Sequence, residues 1–131
     1  MSTPFSTMRA ARRTFVLAAI SAAAMGFGGV QAADYPSKPI KLIVPFTAGS
    51  GTDIIARVIS AGLQDSLKTS VVVENLPGAS GQIAASAAAK AKPDGYTIFF
   101  TTNTTQAANV SLFKSLPYDP IKDFAPITLI S

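Results

Sequence analysis

IKLIVPFTAGSGTDIIARVISAGLQDSLKTSVVV, residues 40–73, reads as strand, loop, helix and strand. Ile40 to Val44 is a β-rich apolar run closed by Pro45, and Ser70 to Val73 is a second. Between them Ile55, Ile59, Leu63 and Leu67 recur at i, i+4 within Asp53 to Leu67, and Ile54 and Val58 form a neighbouring ridge. That spacing predicts a helix with one apolar face, with Arg57, Gln64 and Asp65 turned away. Thr52 or Asp53 is the expected N-cap. Downstream, Gly81 to Lys92 (GQIAASAAAKAK) predicts a second helix, capped by Ser80, with Lys90 and Lys92 in its last turn and Pro93 ending it. Its alanines allow close approach to a sheet. Asp94-Gly95 then turns the chain into a third strand, Tyr96 to Phe100. The three strands start 30 and 26 residues apart, about the length of a βαβ unit. Short strands apolar on both faces, alternating with helices, predict a doubly wound α/β layer with a mostly parallel sheet.

Composition narrows the chemistry. The 131 residues include no Cys, no His and no Trp. Disulfides, thiol nucleophiles, Ser-His-Asp catalysis and His- or Cys-ligated metals are thereby excluded. Met1 to Arg13 is polar and basic, Phe15 to Ala24 is apolar and uncharged, and Gly26, Gly28 and Gly29 break any helix. Val30-Gln31-Ala32 supplies the small residues of a signal-peptidase site. Residues 1–32 therefore read as a cleavable export signal, with Ala33 starting the mature chain. A membrane span needs roughly 20 unbroken apolar residues, more than this core offers. Arg12-Arg13-Thr14-Phe15 also resembles a twin-arginine signal, so Sec and Tat routes both stay open. Either leads to the periplasm. Three of the eleven Lys/Arg (Arg9, Arg12 and Arg13) lie in that signal, leaving eight cations against seven anions. The basic charge belongs to the signal, and no nucleic-acid partner is implied.

Right-handed crossovers bring the carboxyl ends of all three strands to one edge of the sheet, where α/β folds bind ligands. The loops expected there are Pro45 to Asp53, Glu74 to Gly81 and Thr101 to Thr105. They are rich in Gly, Ser, Thr and Asn and contain no Lys or Arg. Each leads toward a helix N-terminus, whose unpaired N–H groups favour an anion. A single carboxylate suits such a site better than a triphosphate, which recruits Lys and Mg²⁺. Turn chemistry alone also accounts for these residue types. Gly51 is expected to permit a positive φ or a close backbone approach. Gly49-Ser50-Gly51 does not complete a dinucleotide fingerprint, because Ile54 stands at its third glycine position, and no Walker loop is present. Asp53 and Glu74 are the one candidate acid–base pair, with a helix cap and a strand-end acid as the plainer explanation.

The residues taken together resemble a known family. Tyr35-Pro36-Ser37-Lys38-Pro39-Ile40, Ile43-Val44-Pro45-Phe46 and Gly49-Ser50-Gly51-Thr52-Asp53 are similar to the start of the Bug-type proteins. These are the extracytoplasmic solute receptors of tripartite tricarboxylate transporters. Val72 to Gly81 (VVENLPGASG), Lys92 to Thr97 (KPDGYT), and Leu116 to Pro120 with Asp123 to Pro126 resemble three further blocks. The resemblance implies one lobe of a type II periplasmic-binding-protein-like clamp that grips small carboxylates and hands them to membrane permease subunits. It implies neither an enzyme nor a cofactor. It assigns Phe46, Gly49, Ser50, Thr52 and Asp53 of the first loop to ligand binding. Asn75, Ser80 and Gly81 follow from the second, and Thr102 and Asn103 from the third. Ser50 stands where glycine is frequent in the family, and Leu76 where arginine is. On this reading residues 33–118 are a partial first lobe, and 119–131 are a crossover plus the first strand of a second lobe, Ala125 to Ile130. Leu116 to Pro126, with three prolines, reads as connection. Family members are about twice this length or more, so this chain reads as truncated where it enters the second lobe, with half of the ligand clamp missing. A non-functional fragment of such a receptor is the alternative, and a small α/β enzyme domain using Asp53 and Glu74 ranks behind both.

The signal reading is directly testable. Amino-terminal sequencing of periplasmic material is expected to begin at Ala33, and intact Met1 chains confined to the cytoplasm would refute it.

Overall fold

The computed structural model describes residues 34–130. The signal expected over 1–32 and its cleavage before Ala33 lie outside the described residues. In chain order come β1 (Ile40–Val44), α1 (Gly51–Leu67), β2 (Val71–Asn75), a 3₁₀ turn (Ala79–Gly81), α2 (Gln82–Ala89) and β3 (Thr97–Phe99). A π-helical turn (Thr104–Ala108) then runs into the short α3 (Asn109–Leu112). The strands are parallel in the order β2-β1-β3, with Leu42 opposite Val73 on one side and Ile98 on the other. The first crossover leaves β1 for β2, and the second passes back over β1 to β3. Two right-handed crossovers in opposite directions put α1 and α2 on opposite faces, which is the doubly wound arrangement.

The face that α1 presents differs from the expected one. Asp53, Ala56 and Ser60 are buried and Leu63 and Leu67 half-buried, whereas Ile54, Ile55 and Val58 are at least half exposed. The buried stripe is rotated from the expected one: Ile59, Leu63 and Leu67 stay half-buried, while the small Ala56 and Ser60 take the place nearest the sheet. Ala56 and Ser60 let the helix axis approach the sheet, and the Ser60 hydroxyl donates to the Val71 carbonyl at 3.0 Å. Arg57 and Gln64 are exposed, as expected, but their polar ends reach back: Gln64 Oε1 accepts from the Val71 N–H at 3.3 Å and Arg57 Nε donates to Asp53. The helix also starts earlier than Asp53. Ser50 is its N-cap, in extended conformation, and its hydroxyl accepts from the Asp53 N–H. Neither Thr52 nor Asp53 caps it, because a capping oxygen must precede the N–H it accepts by two or three residues.

Ile40, Leu42 and Val44 form the core with Ala56 and Val71, and Val73, Ile98 and Phe100 pack around them. On the opposite face Ile43 is buried, and Ala84 and Ala85 of α2 are fully buried over β1 and β3. That face is less covered near β2, where Lys41 and Val72 are exposed and Lys41 pairs with Glu74 at 2.6 Å. α2 is shorter than expected. The chain turns left-handed through Ser80 (φ 53°), so Ser80 cannot cap, and Gly81 occupies the cap position without a side-chain bond. Lys90 and Lys92 fall at and beyond its end.

At the amino edge of the sheet the Tyr35-to-Lys38 and Asp94-to-Tyr96 blocks hold each other. The Tyr35 hydroxyl donates to the Gly95 carbonyl at 2.7 Å, and the Ser37 N–H donates to the Tyr96 hydroxyl at 2.8 Å. Lys38 pairs with Asp94 at 2.9 Å and lies 4.2 Å from the Tyr96 ring centroid. The Lys38 ammonium, with the Tyr96 N–H, keeps the Asp94 carboxyl below the usual carboxylate range. After α3 the connection forms an Asp119–Asp123 turn, with the Ile121 and Lys122 N–H groups on Asp119 Oδ1. Ala125 to Ile130 forms no strand, contrary to expectation, and Ile127 and Leu129 are exposed. A β-rich segment becomes a strand only against a partner, and none lies beside it among the described residues. None of the described helices is long and apolar enough to cross a membrane.

The inward ridge of α1 can be checked by mutation. Ala56→Leu is expected to cost about 1–3 kcal/mol by overpacking. Ile55→Ala, at a half-exposed site, should cost less than about 1 kcal/mol. Urea denaturation measures both, and the reverse ranking would restore the isoleucine face.

Candidate functional site

The carboxyl edge of the sheet gathers three loops. The Leu76 N–H donates to the Val44 carbonyl at 2.8 Å and the Phe100 N–H to the Ile43 carbonyl at 2.9 Å, so the second and third loops leave the sheet tied to β1.

The first two loops are joined through one carboxylate. Asp53 is 1% exposed. Its Oδ2 accepts from the Gly49 N–H at 2.8 Å and from Arg57 Nε at 2.9 Å. Its Oδ1 accepts from Asn75 Nδ2 at 2.8 Å. Asn75 Nδ2 also donates to the Phe46 carbonyl at 3.0 Å, and Asn75 Oδ1 accepts from Arg57 Nη2 at 3.2 Å. Gly49 adopts φ +82° to aim its N–H at the carboxylate, a conformation glycine reaches without steric cost.

The second and third loops meet at Gly81. Its φ is +81°, and a Cβ there would lie 2.5 Å from Thr105 Cγ2 and 3.2 Å from Pro45 Cβ. All three loops therefore touch at this α-carbon. Asn109, fully buried, donates to the Ser80 carbonyl at 3.0 Å and to the Tyr118 hydroxyl at 3.2 Å, and Tyr118 donates on to the Thr105 carbonyl at 2.7 Å. The Thr101 and Thr105 hydroxyls bond each other. Thr102 Oγ1 is buried without a hydrogen bond among the described residues, and Asn103 is exposed at the start of the π-helical turn.

The residues singled out in the sequence thus fall into two knots. Phe46, Gly49, Ser50, Asp53 and Asn75 make the first, and Ser80 and Gly81 belong to the second, beside Thr102. The side chains of Asp53 and Asn75 are occupied by internal bonds. Gly51 is the first residue of α1 and has no positive φ, and a Cβ on it would meet no atom within 4 Å. The conformational demand expected of Gly51 falls on Gly49 and Gly81 instead. Ser50 Oγ takes the Asp53 N–H and the Ser50 carbonyl takes that of Ile54. The Gly51 and Thr52 N–H groups have no acceptor among the described residues and stand at the positive end of a 17-residue helix.

Thr105 lies in the third loop expected here, whereas Arg57, Asn109 and Tyr118 were not legible as members of this edge. Arg57 also corrects the expectation of an edge without cations, since the helix carries its guanidinium back to the loops. Asp53 and Glu74 cannot act together, because neighbouring strand residues face opposite ways: Asn75 meets Asp53, and Glu74 meets Lys41 on the other face. Among the described residues no three His, Cys, Asp or Glu gather as metal ligands. A shallow open furrow of about 390 Å³ beside Phe113 and Ile121 includes none of the residues assigned to ligand binding.

Arg57 above all, then the Gly49 N–H and Asn75, lower the Asp53 carboxyl from 3.8 to about 2. A carboxyl more acidic in the folded state stabilises it fully above the unfolded value and loses that contribution as pH falls through the folded one. The melting temperature of the parent is therefore expected to exceed that of Asp53→Asn above pH about 4. The gap should close toward pH about 2. Thermal melts across that range measure it, and a gap independent of pH would contradict the ionised network.

Residues 55–131 match the model of the tripartite tricarboxylate transporter family receptor. The protein BugT of Bordetella pertussis is 43% identical over 102 residues, which is 77% of this chain and 31% of that protein. Among solved structures, MatC from Rhodopseudomonas palustris with bound malate is 40% identical with a TM-score of 0.67, over 70% of this chain and 31% of that one. An R. palustris protein with adipate is 42% identical with a TM-score of 0.64, over 66% and 29%. The chain spans about a third of the length of these relatives. By family model, sequence and fold, the chain belongs to the tripartite tricarboxylate transporter receptors, a family of periplasmic solute-binding proteins.

Proposed function

We propose that this chain is the carboxylate-gripping first lobe of a periplasmic receptor that delivers small organic acids to tripartite tricarboxylate transporter permease subunits. The observation that carries the reading is the pair of unclaimed N–H groups of Gly51 and Thr52, at the start of a long helix and beside an edge where three loops meet. Two hydrogen bonds from adjacent amides match the two oxygens of one carboxylate, and the helix dipole adds to them. The malate and adipate held by the two R. palustris neighbours are the ligand class this chemistry favours. On this reading residues 33–118 belong to the first lobe and 119–131 lead out of it. Phe46, Gly49, Ser50, Asp53 and Asn75 shape the first half of the grip. Ser80, Gly81, Thr102 and Asn103 line the second. The protein binds and releases, and catalyses nothing.

Gly51→Pro separates the grip from the scaffold. Proline is favoured at the first helical position, and Ser50, at φ −70° and ψ 161°, already has the conformation that precedes a proline. The variant should melt at or above the parent temperature while losing one ligand donor. Calorimetry of the full protein with malate, adipate and an uncharged diol is expected to show binding of a dicarboxylate only, weakened roughly tenfold or more in Gly51→Pro. Undiminished binding in that variant, or equal binding of the diol, would refute the amide grip.

A further inference from the structure

Arg57 lies one turn after Asp53 on α1, and its guanidinium spans the seam between the first two loops. Nε donates to Asp53 Oδ2 and Nη2 to Asn75 Oδ1, while Asn75 Nδ2 donates to Asp53 Oδ1. Three side chains thus close a ring. The Asp53 side chain in that ring is 2% exposed and that of Arg57 is 53% exposed. A planar guanidinium reaches two acceptors at a fixed angle, which a lysine ammonium, a single point charge on a flexible stem, does not reproduce.

Charge gives the ring a second consequence. The Asp53 carboxylate sits in the first turn of α1, the helix end that is to receive a ligand carboxylate. Left uncompensated, it would repel the ligand and draw on the same dipole. Arg57 is the cation in contact with it among the described residues. From β2 it is faced by Asn75, which is uncharged, while Glu74 turns to Lys41 on the other side of the sheet. The first loop offers only the Gly49 N–H.

We propose that Arg57 is a positioning residue of the carboxylate site, holding Asp53 against Gly49 and Asn75 and cancelling its charge where the ligand anion arrives. The ligand half of this proposal rests on the carboxylate-receptor reading; the ring itself does not.

Two variants of the full protein divide the role. Arg57→Met keeps the aliphatic stem and removes the charge, and Arg57→Lys keeps the charge and removes the fork. Without ligand, carbon-detected titration of Asp53 and hydrogen exchange at the Gly49 amide read the ring. Arg57→Met is expected to raise the Asp53 midpoint and to speed Gly49 exchange roughly tenfold, with Arg57→Lys between it and the parent. An unchanged midpoint and unchanged exchange in Arg57→Met would overturn the proposal. With malate and adipate, Arg57→Met should bind on the order of tenfold more weakly at low salt, Arg57→Lys should recover most of that loss, and the difference should shrink near about 1 M salt. A loss independent of salt and not rescued by lysine would assign Arg57 to folding alone and sink the charge role. If the parent binds neither acid while the ligand-free changes appear, the receptor reading fails and the ring stands.

Discussion

A carboxylate buried to 1% exposure has to find hydrogen-bond donors inside the protein or give up its charge, and Asp53 finds three. They come from a loop glycine, from its own helix and from the last residue of β2. Satisfying it sets the left-handed turn at Gly49, the point where α1 begins and the exit direction of β2. Asn75 extends the same constraint to the Phe46 carbonyl. The edge of the sheet is rigid here because one charge has few permissible environments, and the backbone is arranged to supply one of them.

The second knot works by steric exclusion instead. Gly78 to Gly81 hold four successive positive φ values, two of them on the alanine and serine that avoid that region. Each such residue costs on the order of 1 kcal/mol. The turn persists because Asn109 draws on the Ser80 carbonyl and because only a bare α-carbon fits between Pro45 and Thr105. Tyr118 closes the knot from a stretch that otherwise reads as connection, and Phe124 packs edge-on against it while stacking on Phe99. The proline-rich segment therefore supports the third loop as well as leading away from it.

Much of this was legible in the sequence, and the failures share a cause. β1 is bounded as its apolar run and Pro45 indicate, and the right-handed crossover rule alone brings the three loops to one edge. The resemblance to the receptor family, carried on four ordered blocks, agrees with the family match. What local pattern could not supply was choice between equals. The helical period leaves the rotation of α1 about its axis open, and the close approach that Ala56 and Ser60 permit turns the stripe away from Ile54, Ile55 and Val58. Ser50, Thr52 and Asp53 are all capping residues, and the true cap follows from which N–H is left over. Arg57 with Asn75, and Asn109 with Ser80, are partners 18 and 29 residues apart, a pairing that no spacing rule encodes.

The clasp between Tyr35, Ser37, Lys38 and the Asp94-to-Tyr96 turn joins residues 56 to 60 positions apart. Among the described residues β1 is the first strand to be synthesised and the central one of the three, so it has bare edges on both sides until β2 and then β3 have followed. Contacts this distant in sequence form late, after the loop-closure cost has been met. During vectorial emergence of the chain, the Tyr35-to-Lys38 segment stays unfastened until Tyr96 has appeared. Tyr35 to Lys38, made before the sheet, are thus among the last of the described residues to be held.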